Sequence, residues 1–384
     1  MAGSGVIGAQ SAGQPAAAPA DSLAARTVSG RVVRPGERGM TPVASAWVTL
    51  HRVAPAPDSS GPVDSVRADA AGRYRMRYTP RGGNAVYFAS SMYGGVAYFT
   101  APLPASDAAG DAAEITVFDT TSAPVRIATR GRHLVVSSSG ANGRRTLVEV
   151  FELSNDSTVT AVPGAGGRAT WSAPIVPNAT DFQSGQSDIG GNAVQMRDGR
   201  VLVFASISPG IRQVAFSYSV PAADFPLTVA VPDSVGVFEV LVEDPGATAT
   251  GGGLAEQPAV SLEGRNFRRF LAQDVAAASA ITVDVGAPTA PRGNRYIFVP
   301  IIGAAVLMLG ALAVALTRRG AVPVTTQPVA QVDAAHLARD IAELDEAFAR
   351  VTTASDADRA SYQRRRDALK SQLTAALAKE ETVT

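Results

Sequence analysis

The sequence contains no cysteine and only three histidines, His51, His133 and His336, far apart along 384 residues. The first absence excludes disulfides, thiolate nucleophiles, iron–sulfur clusters and cysteine-built zinc sites, and it leaves the redox compartment open. The second leaves few groups for acid–base or metal chemistry. Net charge is also missing, because 34 basic and 34 acidic side chains cancel at an isoelectric point near 6.9. That balance supplies no broad basic face for phosphates and speaks against nucleic acid as a partner. Aromatic residues make up 6% of the chain, whereas glycine (36) and proline (25) are plentiful. Such a mixture favours many short strands ended by turns.

Motifs of catalysis are sparse as well. The zinc-protease, EF-hand, P-loop and dinucleotide-binding patterns do not occur. GQSDIG at 185–190 has the flavour of a nucleophile elbow but the wrong spacing, and GAGG at 164–167 precedes a strand and not a helix. Glu243 and Asp244 are adjacent, so a strand turns them to opposite faces and denies them paired-carboxylate chemistry. His133 heads an apolar strand, where a hydrogen-bonded structural imidazole is expected. No catalytic, cofactor-binding or metal-ligating residue is assigned, and the chain reads as a non-enzyme.

One long apolar run interrupts this picture. Residues 297–316, IFVPIIGAAVLMLGALAVAL, carry no charge and are flanked by Arg292 and Arg295 before and Arg318 and Arg319 after. Twenty helical residues span about 30 Å, the thickness of a bilayer core. The run is therefore expected to be a single transmembrane helix, the alternative being a buried core helix. Tyr296 and Phe298 sit where interfacial anchors belong. Two arginines on each side leave the positive-inside rule tied. Residues 1–26 form a leader in which GVIGAQSAG is similar to the tail of a signal peptide. A signal remnant places the region before the span outside the cytoplasm and the C-terminus inside, whereas a disordered Ala/Gly/Pro leader leaves the orientation open.

From residue 27 to about 99, period-2 strands alternate with turns: 28–33, 47–51, 64–67, 74–78, 86–89 and 96–98. Asp69 is placed to accept backbone N–H groups two residues on, Gly72 to take positive φ, and Tyr74 to begin a strand facing the core. SGRVV, PVASAWVTL and SVRADAAGRYRMRY, through Gly30, Pro42, Val43, Ala46, Val48, Leu50, Asp69, Gly72 and Tyr74, resemble the carboxypeptidase regulatory-like domains, transthyretin-like sandwiches grouped with carbohydrate-binding-like folds. The resemblance implies a β-sandwich over 27–105 and a usual location outside the cytoplasm. It implies no peptidase activity, because every matched residue is architectural.

SMYGGVAYF at 91–99 is the densest aromatic cluster, and its Tyr93, Tyr98 and Phe99 are the weak ligand-binding candidates. Exposed, they would stack on a sugar or seat a peptide. The other reading puts alternate rings in the core of a glycine-bent strand. Residues 114–285 form a second β-rich region with strands at 115–118, 125–127, 133–136, 146–153, 200–207, 213–219, 227–230 and 236–242. Trp171 reads as a core residue there, and 267–280 as a short helix.

After a linker at 321–332, Leu337, Ile341, Leu344, Phe348 and Val351 recur at spacings of four and three. Ser355 and Asp358 then open a second amphipathic helix carrying Tyr362, Leu369 and Leu373. The expectation is a helical hairpin over 333–378. The span with LARDIAELDEAF and SYQRRRDALKSQL, notably Leu344, Tyr362, Arg366 and Leu369, resembles over 296–378 the membrane-anchor and hairpin module of apocytochrome chaperones in bacterial cytochrome c maturation.

The fold class expected is mainly β: a tandem β-sandwich ectodomain, a single transmembrane helix and a C-terminal α-helical hairpin. The expected function is that of a single-pass scaffold or binding protein in a bacterial cell membrane, without cofactor or metal. Its partners would be the bilayer and a protein or a second copy met through the hairpin. The alternatives are an accessory factor of cytochrome c biogenesis or envelope assembly, and a polysaccharide-binding surface protein.

Overall fold

The computed structural model describes residues 24–54, 60–81, 85–262 and 264–286, together with 341–342, 344–345, 348, 359, 362–363, 365–370 and 372–373. It is mainly β, with its strands in several sheets. The leader to residue 23, the apolar run 297–316 and the linker 321–332 lie outside the described residues. Among the described residues no helix is long and apolar enough to cross a membrane.

The first unit contains β1 (Arg26–Gly36), β2 (Gly39–Pro42), β3 (Trp47–Val53), β4 (Gly61–Arg67), β5 (Arg73–Tyr78), β6 (Val86–Tyr93), β7 (Val96–Phe99), β8 (Ala108–Ala109) and β9 (Ile115–Thr116). One sheet has the order β2-β1-β5, with β8 and β9 pairing in parallel to β1; the other has the order β4-β3-β6-β7. Their inner faces share one core of Val28, Val32, Val48, Leu50, Tyr74, Met76, Ala89 and Ile115. The alternation in RYRMRY is complete, with Tyr74, Met76 and Tyr78 buried and Arg73, Arg75 and Arg77 exposed. The Asp69 turn forms as its residues require. Asp69 Oδ1 accepts the N–H groups of Ala71 (2.8 Å) and Arg73 (2.9 Å), and Gly72 adopts a φ of 70°. Those two backbone bonds and the Arg73 guanidinium hold the Asp69 carboxyl below its ordinary pKa.

Sequence reading placed residues 115–118 in the second region, but they complete the first core. Ile115 and Val117 are buried in it, and β9 pairs with β1 through Val32 and Val33. Parallel pairing across more than eighty residues leaves no local trace in a sequence. Gly30 shows how closely the segment fits. It pairs with Tyr74, whose hydroxyl donates to the Ala113 carbonyl at 2.6 Å, and a Cβ at Gly30 would lie 1.9 Å from that carbonyl oxygen.

The second unit follows through β10 (Thr120–Thr121), β11 (Ile127–Val136), β12 (Arg144–Asn155), β13 (Thr160–Ala161), β14 (Trp171–Pro174), β15 (Thr180–Ser184), β16 (Val194–Arg197), β17 (Arg200–Val203), β18 (Gly210–Pro221), β19 (Leu227–Val231), β20 (Val235–Val242), β21 (Thr248–Thr250), β22 (Ala255–Leu262), β23 (Arg265–Val275) and β24 (Ser279–Asp284). A seven-stranded sheet has the order β15-β18-β12-β11-β20-β23-β22, and two three-stranded sheets have the orders β14-β17-β16 and β19-β24-β21. Leu134, Leu147, Phe151, Phe216, Phe238, Val240 and Phe270 from the large sheet share a core with Val201, Val203, Val229, Ile281 and Val283 from the small ones. Trp171 packs on that core, edge-on to Phe151 at 4.9 Å.

The short helix expected over 267–280 is not present. Those residues run through β23, a turn at 276–278 and the start of β24, because β23 bonds to β20 on one side and β22 on the other. The two ladders satisfy more backbone groups than an isolated turn of helix would, and local propensity yields to them.

Replacing Gly30 by Ala is expected to destabilise the chain by about 1–3 kcal/mol through overpacking against the Ala113 carbonyl. Urea unfolding of the purified chain checks this, and an unchanged midpoint would contradict the close approach.

Candidate interaction surfaces

The central strands of the large sheet carry charge where core side chains are expected. Arg132 and Glu149 are 2% and 1% exposed and pair at 2.7 Å. Arg132 Nη1 also donates to the Ala230 carbonyl of β19 at 2.8 Å, and its guanidinium lies over the rings of Phe151 (4.9 Å) and Phe238 (5.2 Å). Tyr218 donates to the other Glu149 oxygen at 2.6 Å, and burial, followed by that carboxylate, raises the phenol's pKa well above its ordinary value. Arg145 pairs with Asp244 on the same side of the sheet and donates to the Ser137 carbonyl.

On the opposite face, His133 Nδ1 meets Glu239 at 2.9 Å, and Arg269 donates to the same carboxylate at 2.5 Å. Burial tends to raise the Glu239 pKa, but His133 and Arg269 outweigh it, and the net value is lowered. Glu243 is lowered in the same way, with Arg265 and the Ser138 N–H outweighing burial. As their adjacency implied, Glu243 and Asp244 serve opposite faces. These groups bond to one another in pairs and triads. The GQSDIG loop is packed too: Ser187 donates to the Ile189 carbonyl, Asp188 accepts the Gln213 N–H, and Ile189 is buried.

The three aromatic candidates fall into two places. Tyr98 is buried, with its hydroxyl 3.0 Å from the Phe118 carbonyl and 2.8 Å from Thr160 Oγ1. A carbonyl only accepts, so the tyrosine proton points to Phe118 and Thr160 donates in return. Tyr93 donates to Asp119 Oδ1 at 2.8 Å, while Arg34 holds the other oxygen at 2.7 Å. Both tyrosines thereby build the joint between the two units, where β10 and β13 pair and the Thr160 N–H reaches the Asp119 carbonyl. Tyr98 is buried, whereas Tyr93 is half-buried against the first core. Phe99 lies on the outer side of β7.

That outer side is the first of two interaction surfaces. Val53, Val86, Phe88 and Phe99 form an apolar patch on the β3-β6-β7 face, and Ile341, Ala342, Leu369 and Leu373 pack into it. Ile341 and Leu373 are fully buried. His51 lies beside the patch, stacked on Phe88 at 5.4 Å and bonded to Ser90 at 2.8 Å. Of the hairpin expected over 333–378, the described residues 341–342, 344–345, 348, 359, 362–363, 365–370 and 372–373 are helical, and the rest lie outside the described residues. Phe348 stacks on Tyr362 at 4.1 Å, and Asp345 accepts from the Tyr362 hydroxyl (2.6 Å) and from Arg366 (2.8 Å). Burial, then Asp345, pushes the Tyr362 pKa up to about 12. Arg366 also donates to the Ser60 carbonyl at 3.3 Å. Amphipathic patterning had marked Ile341 and Leu373 as apolar-face residues; that their counterpart is a sheet more than 240 positions upstream had no local signal.

The second surface is the outer face of β1 and β5, a cleft of about 430 Å³ lined by Arg31, Arg73, Arg75, Asp69, Asp111 and Glu114 among others. The sequence carries no local sign of it, because Arg31 and Glu114 meet the arginines of β5 only through strand pairing.

Two outcomes follow for the buried charges. Glu149→Leu leaves Arg132 uncompensated and is expected to cost about 3–5 kcal/mol, much of it recovered by adding Arg132→Met; urea unfolding of the single and double variants measures both. Glu239 and Glu243 titrate lower folded than unfolded, so their stabilisation is complete above the ordinary carboxylate range and is lost as pH falls through the lowered folded values. The unfolding midpoint is therefore expected to drop below about pH 4, and Glu239→Gln to lower stability at pH 7 and flatten that drop.

No family model matches the chain, and no curated protein matches it.

Proposed function

We propose that the chain is a non-enzymatic binding and scaffold protein, anchored in a bacterial cell membrane by residues 297–316, whose first sandwich is a docking platform for an amphipathic helix pair. One observation carries this reading: Ile341, Leu369 and Leu373 sit in the apolar patch of Val53, Phe88 and Phe99. An apolar patch on the outer face of a sandwich costs solubility unless something covers it, and a helical hairpin is the cover that fits. The hairpin over 333–378 is supported by the Phe348–Tyr362 stack and the Asp345–Arg366 pair. A relation of the first sandwich to carboxypeptidase regulatory-like domains is part of the same reading, supported by the Asp69, Gly72 and Tyr74 geometry.

Anchoring by one crossing would place the sandwiches outside the cytoplasm and the hairpin inside. Docking of the chain's own helices needs both in one compartment, so the contact of Ile341, Leu369 and Leu373 with the patch and a single crossing exclude each other. Because the chain lacks cysteine, Ser106→Cys and Ala368→Cys each introduce its only thiol at an exposed position. Labelling of spheroplasts with an impermeant maleimide decides between the arrangements. Equal labelling means self-docking, and labelling of Ser106→Cys alone means a single crossing.

Docking itself is tested by Phe88→Asp, which puts a carboxylate into the patch. With self-docking, trypsin is expected to cut within residues 341–373 about tenfold faster, as local opening becomes cheap. An unchanged rate of cleavage would sink the docking reading.

A further inference from the structure

The arginine row of the first sandwich lies on the sheet opposite the helix-docking patch and is independent of it. Strand β5 turns Arg73, Arg75 and Arg77 outward at alternate positions, about 6.6 Å apart, so the row runs about 13 Å along the sheet. Antiparallel pairing sets Arg31 opposite Arg73, Ser29 opposite Arg75 and Thr27 opposite Arg77. Like charges directly opposite each other destabilise a sheet, so folding alone gives no reason for this row. Two of its members are offset: Arg31 reaches Glu114 at 3.5 Å and Arg73 reaches Asp69 at 2.9 Å. Arg75 and Arg77 are exposed, and among the described residues neither guanidinium makes a hydrogen bond or ion pair.

We infer that this face binds an acidic polysaccharide. Guanidinium forks bond carboxylate, sulfate or phosphate groups in bidentate fashion, and their spacing along a strand suits a polymer with charges in series. The cleft's carboxylates, Asp69, Asp111 and Glu114, sit at the Arg31 and Arg73 end. There Asp111, and the lone pairs of Asp69 and Glu114 that Arg73 and Arg31 leave, are acceptors for hydroxyl groups, which a polyphosphate does not carry. Arginines and carboxylates side by side match a ligand that carries both anions and hydroxyls, as an acidic sugar chain does. Tyr74, the aromatic residue in the cleft, is buried with its hydroxyl bonded, so the site lacks the open ring on which a neutral sugar would stack.

The test uses the full chain in detergent micelles and polygalacturonate as the probe, with sulfated dextran, neutral dextran, polyphosphate and vesicles of anionic lipid as the other arms. Binding of polygalacturonate or sulfated dextran is expected, and which of the two is tighter identifies the anion. Arg75→Gln with Arg77→Gln is expected to weaken that binding about tenfold or more, because each change removes a charge-assisted bond. Arg197→Gln, an exposed change on the second unit, is expected to leave it unaltered. Binding of neither acidic glycan would overturn the proposal. So would neutral dextran, polyphosphate or vesicles binding as tightly as the best acidic glycan, or equal losses in the Arg197 and paired variants.

Discussion

A guanidinium buried inside a sheet protein must find a carboxylate, and Arg132 finds Glu149 across the β11–β12 ladder. Side chains alternate faces along a strand, so a slip of one residue would carry Arg132 to the face where His133 now meets Glu239 and leave both acids unmatched. An unmatched buried charge costs more than almost any single packing defect. The charged pairs on the two faces thereby select one register for β11, β12 and β20. The same guanidinium bonds the Ala230 carbonyl of the overlying layer, so register and layer packing are set together.

The first unit depends on a comparable concentration of roles in β1, which pairs with β2 and β5 antiparallel and with β8 and β9 in parallel. Its glycine admits the Ala113 carbonyl, and Arg34 at its far end ties down Asp119 at the joint. Asp119 collects Arg34 and Tyr93 on its side chain and Thr160 on its backbone, which gives the SMYGGVAYF tyrosines a structural use. Both sheets of this sandwich then present an outer face with its own chemistry, apolar on β3-β6-β7 and arginine-rich on β1-β5.

Period-2 alternation made 47–51, 74–78 and 146–153 legible, and a nearly continuous apolar run did so for 236–242. Their burial pattern is a local property. Hidden from it were the short strand β8, the far-upstream partner of the strand read at 115–118, and β23, whose arginine-rich ladder depends on two neighbours that local pattern cannot supply. At the candidate surfaces, amphipathic spacing named Ile341, Leu369 and Leu373 as members of an apolar face, and the arginines of RYRMRY were visible as alternating polar positions. Which sheet receives the first, and that the second stand opposite Arg31, follow only from strand pairing.

The sequence by itself determined the β class, the structural use of His133, the opposed roles of Glu243 and Asp244 and the geometry of the Asp69 turn, because each depends on neighbours within a few residues or on side-chain periodicity. Tertiary structure alone decided that Tyr93 and Tyr98 join two units, that Arg132 is paired within a core, and that a chain of zero net charge carries a positive row. Those outcomes depend on residues tens to hundreds of positions apart being brought within hydrogen-bonding distance, and neither composition nor periodicity records such distances.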